Sequence, residues 1–115
     1  RLRLLHAIMM TPLARNCAVV LALVCFTNAE VIGNDYAFVA FDKELGRGVC
    51  WGNPDYGGDC SGIDFSDVTD IISNRYSFIA WKKHLGQAVC WGDQYFGGNC
   101  LGVNFSGVTD IFSTQ

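Results

Sequence analysis

From Tyr36 to Phe41 every position is apolar or aromatic, so both alternating sets, Tyr36/Phe38/Ala40 and Ala37/Val39/Phe41, are hydrophobic. That pattern predicts a strand covered on both faces. Lys43-Glu-Leu-Gly-Arg-Gly48 comes after it and predicts a turn, with Gly46 available for positive φ. Val49–Trp51 is then the return strand of a hairpin. A stretch dense in turn formers comes next, with Gly52, Asn53, Pro54, Asp55, Gly57 and Gly58. Val68–Ser73 predicts a third strand that leads on toward Tyr76. No stretch after Ala29 has helical periodicity, so the 30–115 region reads as all-β.

The pattern then recurs at a spacing of forty residues without a gap. Tyr36-Ala-Phe-Val-Ala-Phe41 answers to Tyr76-Ser-Phe-Ile-Ala-Trp81, and Val49-Cys-Trp-Gly52 to Val89-Cys-Trp-Gly92. Tyr56-Gly-Gly-Asp-Cys60 answers to Phe96-Gly-Gly-Asn-Cys100, and Val68-Thr-Asp-Ile-Ile-Ser73 to Val108-Thr-Asp-Ile-Phe-Ser113. Trp51, Gly52, Gly57 and Gly58, with Trp91, Gly92, Gly97 and Gly98, form the frame of this repeat. Self-similarity at such a period marks stacked or radially arranged units, none able to bury its apolar surface alone. The division expected is a segment 1–29, a β-repeat over 30–75 and a second over 76–115.

The first 29 residues are of another kind. Arg1, Arg3 and Arg15 precede the apolar run Cys17–Phe26, which ends in Thr27-Asn28-Ala29. Charged start, short apolar centre and small-residue exit are the order of a secretory signal peptide. The run is short for a span, which takes about 20 apolar residues. Membrane contact is therefore expected only through an uncleaved form of this segment. The protein is expected to be secreted or held at the cell surface.

Cys17 and Cys25 would leave with a leader; Cys50, Cys60, Cys90 and Cys100 remain as two in-phase pairs. In an exported chain such a set reads as a disulfide framework. Three pairings are open, and the repeat favours 50–60 with 90–100, each unit closing on itself around a turn-rich loop. Zinc sites take closer cysteines or nearby histidines, and His84 is the only histidine after the first segment.

Residues 30–115 carry five Lys or Arg against eleven Asp or Glu, a net charge of −6. Phosphate backbones are bound through clustered cations, so nucleic acid is not an expected partner. One histidine leaves no Ser-His-Asp or Cys-His set, and Asp70 and Asp110 recur as strand-end residues rather than as an acid–base pair. No enzyme activity, cofactor or metal is expected. Asn104-Phe-Ser106 is a glycosylation acceptor if the host modifies exported chains. Trp51, Trp81 and Trp91 read as core rather than as a stacking surface, and Lys82-Lys83-His84 as a solvated turn.

The blocks Trp91-Gly-Asp93, Tyr56-Gly-Gly-Asp59 and Ile111-Phe-Ser-Thr114, set after an Ala- and Phe-rich strand and a Gly turn, resemble the repeats of the regulator of chromosome condensation family. The likeness is closer to a divergent branch found as tandem arrays in microbial proteins. It covers nearly all of 30–115 and implies propeller-blade-like units. Two units do not close a ring of typically 4–8 blades, so an incomplete propeller with further repeats beyond Gln115 is the expectation. The family's Gly-x-x-His-Thr is absent, with Asn34-Asp-Tyr and Asn74-Arg-Tyr in its place, and no residue for nucleotide exchange or chromatin binding carries over. Two such units also resemble the Greek-key pairs of the βγ-crystallin family, an alternative two-sheet sandwich. That family's calcium signature is missing in phase, since Asp67-Val-Thr-Asp70 lacks it.

The expected function is a non-enzymatic scaffold that displays loops to a protein or glycan; a purely structural repeat of a larger cell-surface protein is the alternative. The display loops are Asn53–Asp59 and Asp93–Asn99, with Asn53, Asp55, Tyr56, Asp93, Tyr95 and Phe96 as candidate contacts.

Overall fold

A computed structural model of the 115-residue chain describes residues 19–21, 24–26 and 28–114. Most of the leader-like segment, Cys17 included, lies outside them. The described part of it pairs as two short antiparallel strands, β1 (Val19–Leu21) and β2 (Val24–Phe26). The side chain of Phe26 is fully buried, and the Asn28 N–H donates to the Asp42 carboxylate at 3.2 Å.

The remainder is all-β, in two three-stranded antiparallel sheets. The first contains β3 (Glu30–Gly33), β4 (Ala37–Asp42) and β5 (Arg47–Gly52); the second contains β6 (Asp70–Ser73), β7 (Ser77–Lys82) and β8 (Gln87–Gly92). Each is a meander of consecutive strands. The registers are the same forty residues apart: Val39 faces Cys50 as Ile79 faces Cys90, and Phe38 faces Trp51 as Phe78 faces Trp91. The expected hairpin is present, with Gly46 at φ 64° in its turn. β6 is shorter than the Val68–Ser73 expected and opens the second sheet, not the first. Its counterpart β3 is not among the strands expected from alternation, although the in-phase match of Val31 and Ile32 to Ile71 and Ile72 carries the signal.

An asparagine opens each central strand. Asn34 Oδ1 accepts from the Tyr36 and Ala37 N–H groups at 2.8 Å, while its Nδ2 donates to the Tyr56 carbonyl at 2.7 Å. Asn74 does the same with Tyr76, Ser77 and Phe96. One side chain thus fixes both the strand entry and the far loop.

The disulfides are Cys50–Cys60 and Cys90–Cys100, each closing a loop of sequence separation 10. In the chain-entropy account a closure of this length is worth about 3 kcal/mol per bridge. That supplement matters for units this small.

The core lies between the sheets and has a direction. The first sheet contributes Ala37, Val39 and Phe41; its loop adds Cys60, Phe65 and Val68. The second sheet receives them on Ile71, Phe78, Ala80 and Trp91. By register, Val39 and Phe41 lie on one face of their meander, while Phe78 and Trp91 belong to the opposite face of theirs. The units therefore stack front to back. Trp91 sits at the joint: its Nε1 donates to the Gly57 carbonyl at 3.1 Å, and Phe65 meets it edge-on at 5.8 Å. Gly57 has φ 103°, and a Cβ there would lie 2.5 Å from the Phe78 ring. Only glycine combines that backbone with that approach. At the edge of the joint Ser73 Oγ donates to the Gly33 carbonyl and Arg75 pairs with Asp35 at 2.9 Å.

Two expectations are corrected by this arrangement. The first sheet is not covered on both sides, because Phe38 is 43% and Trp51 39% exposed. Among the described residues no loop lies on that end of it, whereas the equivalent Phe78 and Trp91 are under the Gly57 loop. Lys82 is not part of a solvated turn. It ends β7 and is buried, with Nζ 3.7 Å from Asp64.

Candidate binding edge

Both display loops are built alike, from a strand end into a three-residue 3-10 turn. After Trp51-Gly52 the Asn53 N–H donates to the Tyr36 carbonyl at 2.9 Å. Asn53 Oδ1 caps Asp55 N–H at 2.9 Å, Pro54 occupies the first turn position, and the Gly58 N–H closes onto the Asn53 carbonyl at 2.9 Å. A Cβ on Gly58 would run into the Gly52 carbonyl, so the Gly-Gly pair lets the loop fold against its own stem. In the second unit Asp93 caps Tyr95 N–H at 2.9 Å, and its carbonyl accepts from Gly98 N–H at 2.8 Å.

The candidate contacts therefore divide. Asn53 and Asp93 are occupied as caps. Asp55 is exposed. Tyr56, Phe96 and Tyr95 are the loop residues that offer surface, Tyr95 being 84% exposed.

Stacking brings the loops together on one edge. Tyr56 lies 4.5 Å from Tyr36, the two lie 5.8 and 6.0 Å from Tyr76, and Tyr76 lies 4.8 Å from Phe96, giving a continuous cluster of four rings. Alternation marks Tyr36 and Tyr76 only as strand residues. Their in-phase place beside the loop aromatics is the signal in the sequence for the cluster. The Arg75 guanidinium stands 5.5 Å over the Tyr76 ring. Its hydrogen bond to Asp35 raises its pKa above the usual arginine value, so the edge holds a permanent cation. Beside it a shallow groove of about 540 Å³ is lined by Asn74, Arg75, Tyr76, Tyr95, Phe96 and Thr114. Stacked aromatic faces with amide, hydroxyl and guanidinium donors at their rim suit the flat apolar faces and hydroxyls of a sugar, or an extended peptide.

Among the tryptophans, Trp81 and Trp91 are buried and Trp51 is half-exposed. Asn104 is exposed, and its Oδ1 accepts from the Ser106 N–H and hydroxyl at 2.9 and 2.6 Å. His84 lies in an exposed turn, and among the described residues no three His, Cys, Asp or Glu side chains cluster. Compared with known protein families and with curated sequences, the chain matches neither a family model nor a curated protein.

Proposed function

We propose that this is an exported, non-enzymatic β-repeat scaffold whose aromatic edge binds a glycan or a protein segment. The observation that carries the reading is the convergence of both Gly-Gly loops and both strand-entry tyrosines into one ring cluster beside Arg75. The two local disulfides are compatible with an extracellular location. Front-to-back stacking of consecutive meanders supports blade-like units over the Greek-key alternative, in which strands of the two motifs would mix within a sheet.

The test is a glycan array and a peptide-library pull-down on the oxidised chain, alongside Tyr76→Ala/Tyr95→Ala. Binding below about 1 mM that drops at least tenfold in the double variant supports the reading. Absence of any binding at that level leaves the structural alternative ahead. That second reading has its own support: Val108–Ser113 repeats the sequence that includes β6 but lies in no sheet among the described residues, as the opening strand of a further unit would.

A further inference from the structure

The joint between the sheets has a donor side, the Gly57–Val68 loop, and a receiving side, the Phe78–Trp91 face. Shifted by forty residues, the donor loop recurs as Gly97–Val108 and the receiving face as Phe38–Trp51. Neither recurrence is engaged within the described residues. Phe38 and Trp51 stack on each other in the open at 5.5 Å, and Val103 is 56% exposed where its counterpart Ile63 packs against the core. We propose that the Gly97–Val108 loop of one molecule docks on the Phe38–Trp51 face of a second copy, continuing the intrachain joint as head-to-tail self-association.

The residues needed for the contact are present on both sides. Trp91 Nε1 on the Gly57 carbonyl becomes Trp51 Nε1 on the Gly97 carbonyl. Phe65 edge-on to Trp91 becomes Phe105 on Trp51. The position that must be glycine against Phe78 is glycine again, Gly97 at φ 100°, against Phe38. The ion pair also survives the shift. Within the chain Asp35 meets Arg75, and between copies Arg75 meets Asp35, so the charges alternate and never oppose their like.

Two contacts are lost. The Ser73 hydroxyl position is Gly33, and Asp64–Lys82 becomes Asn104–Asp42. The Asp42 end of the face is also held by Asn28, which confines docking to the Phe38–Trp51 end. The intermolecular contact is smaller than the intrachain one and lacks its tether, so it forms at higher concentration. Being heterologous, it passes from copy to copy, into an open chain or into a ring where the rotation closes. It rests on the stacking geometry and does not depend on the ligand reading of the aromatic edge.

Sedimentation velocity of the full oxidised chain, from about 10 μM to about 1 mM, tests it. The weight-average mass should rise with concentration above that of the monomer. Phe38→Ala/Trp51→Ala removes the receiving face and Val103→Asp the donor loop; each alone should remain monomeric. All three positions are exposed, so folding is preserved, which circular dichroism and non-reduced mass mapping of the two bridges verify. Phe105→Ala serves as a second donor-side variant. An equimolar mixture of the receiving-face and donor-side variants keeps one intact joint and should form dimers and nothing larger. A wild-type chain monomeric throughout, a receiving-face variant that still associates, or a mixture that stays monomeric overturns the proposal. Ligand binding at the aromatic edge by a chain that stays monomeric throughout would overturn it while leaving the scaffold reading intact.

Discussion

Phe78–Trp91 and Phe38–Trp51 are the same residue pair, on the same rungs of the same meander. One pair is buried, at 0% and 6% exposure, and the other is open, at 43% and 39%. The strands that carry them do not differ in kind. The difference is the Gly57–Phe65 loop, which lies on one pair and has no equivalent on the other among the described residues. Burial here belongs to the joint and not to the sheet. A repeat encodes a surface and the loop that covers its neighbour, and among the described residues each of the two copies has only half of that relation engaged.

The largest effect that would break this comparison is in the tryptophans. Trp91→Ala should cost about 3–5 kcal/mol in urea unfolding, since it removes a buried ring from between Phe78, Phe65 and the Gly57 carbonyl. Trp51→Ala, on the same rung, should stay within about 1 kcal/mol for the monomer. Equal costs would mean that the sheets are stabilised independently and that the joint contributes little.

The bridges sharpen the point. Both close loops of separation 10, so chain entropy alone predicts the same loss for Cys50→Ser/Cys60→Ser and Cys90→Ser/Cys100→Ser, about 2–4 kcal/mol. Cys60 is a member of the joint core, whereas Cys100 is only half-buried. The first double variant should therefore lose more, and matched denaturation curves for the two would rule out a packing contribution.

The smallest expected difference is in acid. Asp64 Oδ1 accepts from the Ser66 hydroxyl and N–H, and these bonds hold its pKa below the ordinary carboxylate value. The depressed pKa means that the turn's stabilisation is complete above the unfolded value. It fades as pH falls below about 4, through the folded one. Asn104 makes the same two bonds without a charge, so the second unit's turn should not respond. Amide exchange at Ser66 and Ser106 across that window reads both turns at once, and Asp64→Asn should make the first behave like the second.

Much of the fold is legible in the periodicity. Two copies in phase place the hairpins, the positive-φ turn at Gly46 and the pairing of Cys50 with Cys60, because each of those is decided inside one unit. Features decided between units are opaque to it. That Trp51 is open and Trp91 closed depends on which copy comes first, a fact absent from either copy's composition. Lys82 reads as a surface lysine until Asp64 of the preceding loop is placed on it. Among the candidate contacts, Asn53 and Asp93 are legible as polar loop residues. Their commitment as caps needs the 3-10 turns, and the tyrosine cluster needs one unit placed against the other.

The local disulfides also have a mechanical meaning. Each closes a separation of 10 onto a Cα–Cα distance of 5.8 or 5.7 Å. A fully extended chain spans about 3.3–3.6 Å per residue, so each bridge withholds roughly 30 Å of contour from a chain pulled at its ends. The two loops are the segments that present the aromatic edge, and under tension they stay folded back while the strands bear the load. Reduction would release both and lengthen the extended chain by about 60 Å. Extensibility is thereby set by the redox state of the surroundings, and the difference between oxidised and reduced force–extension curves measures it.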